Sequence, residues 1–182
     1  MVSAAGRSWN YSSGSTELLG AVLKKATGEP LDELARKVLF GPLGITDVEW
    51  HKDARGNPIA SGGLRLRPRD LAKIGQLVLQ RGAWNGAHVV SASWVDAATT
   101  EQINDPPSIS YGYQFWLDRS NVGNREVEWA VGIGLGGQRL YIAPALDLVV
   151  VVNAGLYKSD LQATVPLSVL NQYVLKAMEP HP

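Results

Sequence analysis

A phenol and two hydroxyls just ahead of a predicted helix are the side chains with the clearest chemical potential. Residues 9–14 read Trp-Asn-Tyr-Ser-Ser-Gly, so Tyr11 and Ser13 lie close to the start of an apolar run at helical spacing. A phenol titrates at about 10 in water, and it acts as a base at neutral pH only if nearby cations favour its anion or a lysine relays the proton. Without further context, a packed ring with a satisfied hydroxyl is the more common role of such a tyrosine.

A second candidate is the glycine-rich stretch at residues 132–137, which reads Gly-Ile-Gly-Leu-Gly-Gly. It formally matches the fingerprint of dinucleotide-binding folds, in which a parallel strand precedes the glycines and a helix follows them. Here the residues that follow, 138–142, are β-prone. The stretch is therefore predicted to be a glycine-rich entry to a strand and not a dinucleotide site.

Composition excludes several other kinds of site. The chain contains no cysteine, and its histidines, His51, His88 and His181, lack the spacing of metal ligands. Lysine plus arginine equal aspartate plus glutamate at 17 each, so no long-range field favours nucleic acid or an anionic membrane. We therefore expect a small-molecule partner, with no metal, no cofactor and no nucleic acid.

The sequence shows no membrane or export signal. No apolar run reaches the roughly eighteen residues of a membrane span, and residues 1–10 lack the basic and apolar parts of a signal peptide. We expect no membrane partner. The compartment stays open, and the cytoplasm is favoured only by the lack of such a signal.

The first hundred residues are predicted to be mostly helical. The first helix is expected to have Ser13 or Ser15 as its N-cap and to end at Gly28. A second helix is expected over residues 31–39, and a third from Pro68 onward. A fourth is expected over residues 90–100, with Ser91 or Ser93 as its N-cap. Residues 50–58 are predicted to be irregular. Residues 60–63, which read Ala-Ser-Gly-Gly, are predicted to form a glycine loop.

The remaining residues change from a helical to a strand-like pattern after a predicted loop over residues 104–110. Four strands are expected over residues 111–117, 125–131, 138–142 and 148–152, followed by a closing helix over residues 165–178. A turn over residues 144–147 makes the last two strands an antiparallel hairpin. Because no helix crosses between adjacent strands, the predicted fold class is α+β, with an antiparallel sheet covered by helices.

Three segments carry a resemblance to a known family. They are residues 9–20 with Tyr11, residues 60–64 with the Arg69-Asp70-Leu71 helix start, and the Gly-Leu-Gly-Gly-Gln at residues 134–138. In this order they resemble class C β-lactamases, penicillin-binding proteins and related esterases and amidases, including hydrolases of the 6-aminohexanoate-dimer type. The resemblance implies that residues 1–182 form the C-terminal portion of a single β-lactamase-like domain, mostly helical over 1–100 and mostly strands with a closing helix over 101–182.

The chemistry that the resemblance implies is acyl transfer to a serine within a Ser-x-x-Lys motif. Tyr11 takes the proton-transfer role of the family tyrosine, and Ser13 is a candidate substrate contact. Gly136 and Gly137 are candidate substrate contacts because small residues let a substrate lie close to a strand edge. A backbone N–H near Gln138 is the candidate donor to the developing oxyanion.

No Ser-x-x-Lys motif occurs in the sequence. The residues three positions before the seven lysines are Ala21, Val22, Leu34, Glu49, Asp70, Gly155 and Tyr173. No Gly-x-Ser-x-Gly motif replaces it. We therefore expect the nucleophile and its lysine to lie on an N-terminal part outside this chain, and we expect the chain alone to be inactive.

Two departures from the family pattern narrow the activity. Ser13 stands where many relatives place an asparagine, and Leu135-Gly136-Gly137 replaces the Lys-Thr-Gly of β-lactamases and peptidases. The chain therefore offers no motif cation for a substrate carboxylate, which favours an esterase or amidase over a β-lactamase. The alternative is a binding or interaction module, or an inactive truncated relative. For a partial fold we expect a homo-oligomer or a complementing N-terminal segment, because the missing part leaves a sheet edge and apolar surface uncovered.

Overall fold

The architecture is that of a computed structural model that describes residue 4, residues 9–103 and residues 110–179. The chain divides into two compact units, Met1–Asp70 and Leu71–Pro182. All but the last residue of the loop predicted over 104–110, and also His181, lie outside the described residues.

The first unit begins with helix α1, Ser13–Thr27. Ser12 is its N-cap, since its backbone is extended and its hydroxyl accepts the Ser15 N–H at 3.4 Å. The predicted caps, Ser13 and Ser15, are therefore wrong, because the cap lies one residue before the first of them. At the other end Gly28 adopts the left-handed conformation with φ of 75°, which confirms the predicted end of the helix.

A second helical segment leads into buried residues of this unit. Helix α2, Leu31–Ala35, continues directly into a π-helical turn, Arg36–Phe40. The Phe40 side chain at its end is buried, as are Leu43 and Ile45 just beyond it. The apolar periodicity that predicted this helix therefore leads to the core of the first unit.

Two short strands follow that the sequence analysis missed. Strand β1, Val48–Trp50, pairs antiparallel with β2, Leu64–Leu66. The Trp50 indole N–H donates to the Ile59 carbonyl at 2.9 Å, which ties the connecting loop to β1. Each strand is only three residues long, too short for an alternating pattern to reveal it.

The second helical group comprises α3, Pro68–Leu79, and α4, Ala92–Ala98. Both were predicted, and α4 is capped by Ser91, whose hydroxyl accepts the Trp94 N–H at 3.3 Å. Between them, β3, Ala83–Trp84, and β4, Ala87–His88, form a small hairpin. Its turn residues, Asn85 and Gly86, both have positive φ, as an Asn-Gly hairpin turn requires.

A five-stranded sheet dominates the second unit. Its strands are β5 (Ser110–Tyr111), β6 (Trp116–Val122), β7 (Arg125–Gly134), β8 (Gln138–Ala143) and β9 (Leu148–Val152). They neighbour one another in chain order, and every pair is antiparallel. The antiparallel sheet together with the helices confirms the predicted α+β class.

The predicted strand at 111–117 is wrong, because a turn divides it. The Gly112 N–H donates to the Phe115 carbonyl at 2.8 Å, and Gln114 has φ of 65°. The chain therefore reverses between β5 and β6. Because aromatic residues, which favour strands, continue through this turn, β-propensity alone does not reveal it.

The closing helix packs on one face of the sheet. It consists of α5, Leu161–Ser168, a π-helical turn, Val169–Leu175, and a short 3-10 turn, Lys176–Met178. Leu170 and Leu175 are buried in a cluster with Trp129 and Tyr141, whose rings meet edge to face at 5.3 Å. The helix begins at Leu161 instead of the predicted Val165. No helix in the described residues is long and apolar enough to cross a membrane.

Candidate functional site

Tyr11 lies just before α1 in the first unit, with 55% of its surface exposed. Its ring is tilted against that of Trp9, with the ring centroids 6.4 Å apart. Ser13 is the first residue of α1 and is exposed. The N-cap at Ser12 fixes the backbone between these two predicted site residues.

Glu17 joins the Tyr11 segment to the predicted glycine loop. Its carboxylate accepts the N–H of Ser61 at 2.8 Å and that of Ala60 at 3.1 Å. Gly20, one turn further along α1, permits this approach, because a Cβ there would lie 2.7 Å from the Ala60 Cβ. The structure thus brings together two of the three segments that carry the family resemblance. Sequence reasoning missed Glu17, because the loop that it binds lies more than forty positions further along the chain.

The Glu17 contact predicts the direction in which folding stability changes with pH. Hydrogen bonds from the side chain and then the backbone of Ser61 hold the pKa of Glu17 below its ordinary value of 4.5. A lowered pKa contributes stability above 4.5 that is lost as the pH falls through the lowered value. We expect Glu17→Gln to reduce the free energy of unfolding at neutral pH, with the difference from wild type narrowing below pH 4.5. Urea unfolding over a pH series checks this, and a difference that is constant with pH would contradict it.

The glycine-rich stretch forms the hairpin turn between β7 and β8. Gly134 and Gln138 are paired, and residues 135–137 make the turn. Gly136 and Gly137 therefore lie in the turn and not along a strand edge as expected, and the strand that follows them, β8, is paired on both sides. Both glycines are buried and adopt positive φ, 81° and 90°, which favours glycine at each position.

The polar groups of Gly136 are already engaged. Its N–H donates to the Gln162 Oε1 at 2.9 Å, and its carbonyl accepts the Leu156 N–H at 2.9 Å. The Gln138 side-chain amide donates to the Ala154 carbonyl. In contrast, Leu135 at the start of the turn is 73% exposed. Leu135 is thus the turn residue most accessible to a ligand.

A buried guanidinium lies beneath the hairpin. Arg139 is only 7% exposed, and its Nη1 donates to the carbonyls of Gln138 at 2.8 Å and Gly134 at 3.2 Å. Its Nη2 donates to the Gln162 carbonyl at 2.9 Å. Burial raises the pKa of nearby Tyr141, while Arg139 acts in the opposite direction. Sequence reasoning missed Arg139, because a single arginine in a strand carries no pattern.

Replacement of Gly136 should be strongly destabilising. A Cβ at Gly136 would lie 2.6 Å from the Tyr157 ring, and the left-handed backbone adds its own strain. We expect Gly136→Ala to lower the free energy of unfolding by about 2 to 4 kcal/mol. Denaturant unfolding gives the value.

Gly123 offers a matched control for Gly136. It also has positive φ, 58°, but a Cβ there meets nothing within 4 Å. Gly123→Ala should therefore show the backbone strain alone, about 1 to 2 kcal/mol. Equal losses at Gly123 and Gly136 would contradict the Tyr157 contact.

A separate cleft of about 720 Å³ opens in the second unit. Its polar lining includes the ion pair of Arg81 and Asp96, together with Arg119 and Glu128. None of the predicted site residues lines it. The predicted residues themselves lie in both units, with Tyr11 and Ser13 in the first and residues 136–138 in the second.

Comparison with known proteins places these features in one family. The model of the beta-lactamase family matches residues 1–160, a range that includes both Tyr11 and the β7–β8 hairpin. The chain belongs to the beta-lactamase family. This member is 30% identical over 154 residues to 6-aminohexanoate-dimer hydrolase of Paenarthrobacter ureafaciens, a match that covers 79% of this chain and 38% of the relative.

Solved structures support the same relationship. A Bacillus anthracis structure named "Putative 6-aminohexanoate-dimer hydrolase" matches with a TM-score of 0.81 at 26% identity, over 97% of this chain and 46% of that one. The octameric penicillin-binding protein homologue from Pyrococcus abyssi shares the fold, with a TM-score of 0.67 at 22% identity over 93% of this chain and 44% of that one. The resemblance to β-lactamase-related serine hydrolases is thus confirmed. This beta-lactamase family chain spans less than half the length of these relatives.

Proposed function

We propose that this chain supplies the proton-transfer and oxyanion-binding parts of a serine hydrolase that acts on an ester or amide through an acyl-enzyme. Tyr11 transfers the proton, and the β7–β8 hairpin stabilises the oxyanion. The observation that carries the proposal is the family match, since a single beta-lactamase alignment spans both features. Ser13 and the hairpin residues 136–138 are proposed as substrate contacts.

The nucleophile in this proposal lies on a segment outside these 182 residues. No lysine of the chain has a serine three positions before it. The relatives that it matches are more than twice as long, because the matches cover 38% and 46% of their lengths. We therefore propose that the chain is the C-terminal portion of one β-lactamase-like domain and does not turn over substrate alone.

The oxyanion donor in this proposal is the Leu135 N–H. The Gly136 N–H is taken by Gln162, and Gln138 lies in the strand ladder opposite Gly134. Leu135 is the exposed residue of the turn. The donor that the sequence predicted near Gln138 thus moves to the start of the turn. A positioned backbone N–H of this kind typically contributes about 3 kcal/mol to the transition state.

The substrate in this proposal is a small ester or amide. The hairpin carries Leu135-Gly136-Gly137 where a Lys-Thr-Gly motif would offer a cation, and its nearest arginine, Arg139, is buried against backbone carbonyls. The name of the Paenarthrobacter ureafaciens relative, 6-aminohexanoate-dimer hydrolase, is consistent with an amide. Amide cleavage is therefore favoured over β-lactam cleavage.

A binding module without chemistry is the second candidate function. The lack of Ser-x-x-Lys favours it, as does helix α1, none of whose residues is buried. Leu18 and Val22, one turn apart on α1, are 68% and 61% exposed. Such a face suits a second copy of the chain. Sedimentation should show self-association of the isolated chain, and a monomer at all concentrations would argue against an uncovered face.

Two experiments separate these candidates. Translation of the DNA upstream of the Met1 codon should reveal an in-frame Ser-x-x-Lys if the hydrolase proposal holds. The 182-residue chain itself should show no turnover of a chromogenic ester or amide. A burst of acylation by this chain would show that its nucleophile lies within it and would overturn the proposed division.

A further inference from the structure

Gln162 contacts the β7–β8 hairpin through two different groups. Its side-chain Oε1 accepts the Gly136 N–H at 2.9 Å, and its backbone carbonyl accepts the Arg139 Nη2 at 2.9 Å. The carbonyl is open to Arg139 because Pro166, four residues later in α5, has no N–H to donate to it. Gln162 thus links the first turn of α5 to both the tip and the base of the hairpin.

Arg139 fixes the base of the hairpin through carbonyl groups. Burial of a cation costs free energy unless its N–H donors are hydrogen-bonded. The guanidinium N–H groups of Arg139 form a planar fork that donates to the carbonyls of Gly134, Gln138 and Gln162. A lysine could not supply this planar fork, because its ammonium is a single point charge. The position therefore requires arginine for its geometry as well as its charge.

These contacts fix both peptide planes on either side of Leu135. In a trans peptide the carbonyl of one residue and the N–H of the next point in opposite directions within a single plane. The bond from Arg139 to the Gly134 carbonyl therefore directs the Leu135 N–H away from the buried guanidinium. The bond from Gly136 to Gln162 fixes the second plane, which holds the Leu135 carbonyl.

We propose that Gln162 and Arg139 are positioning residues that aim the Leu135 N–H at the substrate by holding the two peptide planes beside it. Neither residue touches the reacting atoms. The inference rests on the proposed function for its catalytic meaning, while the orientation of the turn can be measured in the chain itself.

The test uses two variants at Gln162 that differ in one acceptor. Gln162→Leu removes the oxygen that binds the Gly136 N–H, whereas Gln162→Glu keeps it. In the 182-residue chain, Gln162→Leu should speed hydrogen exchange at the Gly136 amide by roughly tenfold and shift the Leu135 amide resonance. Gln162→Glu should restore both signals. Unchanged amides in Gln162→Leu, or equal changes in both variants, would overturn the inference.

Arg139→Lys tests the other peptide plane independently. It keeps the charge and loses the planar fork of N–H donors, so the Leu135 amide resonance should shift while the fold is retained.

In the longer protein that the proposed function requires, Gln162→Leu should lower kcat by about tenfold with KM within about twofold. Unchanged kcat would overturn the positioning role. If the wild-type longer protein shows no turnover, the proposed function fails, and the amide signals still decide the orientation of the turn.

Discussion

We expect Tyr11→Phe to lower kcat of the longer hydrolase proposed above by about two to four orders of magnitude and to leave its folding unchanged. The substitution removes one hydroxyl and keeps the ring that packs against Trp9. If the phenol transfers the proton between the nucleophile and the leaving group, its loss removes the whole general acid–base contribution, which is typically of this size. Steady-state kinetics on an ester or amide substrate, with thermal unfolding beside it, measures both parts of the expectation.

Ser13→Ala provides the matched control for Tyr11→Phe. It also removes one exposed hydroxyl from the same segment, and Ser12, not Ser13, caps the helix. As a proposed substrate contact Ser13 should affect KM more than kcat, so the two variants separate binding from proton transfer. A kcat for Tyr11→Phe within a few fold of wild type would remove Tyr11 from the mechanism.

Leu135→Pro is expected to have the second-largest effect, a loss of about two to three orders of magnitude in kcat. Proline has no backbone N–H, so the substitution deletes the proposed oxyanion donor. Leu135 is exposed, so the loss of its side chain removes little buried area. Pre-steady-state kinetics should locate the loss in acylation, where the negative charge on the carbonyl oxygen develops.

Leu135→Ala is the control, because it removes the side chain and keeps the N–H. Its kcat should stay within a few fold of wild type. Equal losses in the two variants would show that the side chain matters instead of the N–H. A folded Leu135→Pro protein with full activity would place the oxyanion donor elsewhere.

The elements of this fold that the sequence predicted correctly share strong local signals. Strand β9 is a continuous apolar run, helix α3 begins at a proline, and Gly28 ends helix α1 in the left-handed conformation. In each of these cases the physical cause lies within a few residues of its effect. The α+β class followed from their order along the chain.

The missed features depend on contacts between distant residues. Strands β1 and β2 are stabilised by each other across a long loop, and at three residues each they are too short for their alternation to stand out. Glu17 binds a loop more than forty positions away, and Arg139 satisfies a carbonyl of α5. The glycines at 136 and 137 were singled out from the sequence, but their burial beneath other residues reflects tertiary packing that no local pattern reports.

The central claim is that this chain carries the tyrosine and the oxyanion hairpin of a serine hydrolase whose nucleophile lies outside residues 1–182. Peptide mapping after treatment with a serine-directed fluorophosphonate tests it most directly, applied in parallel to the 182-residue chain and to the longer protein. The account predicts an unlabelled chain, and a longer protein labelled once, on the serine of a Ser-x-x-Lys motif. Stoichiometric label on any serine within residues 1–182 would contradict it.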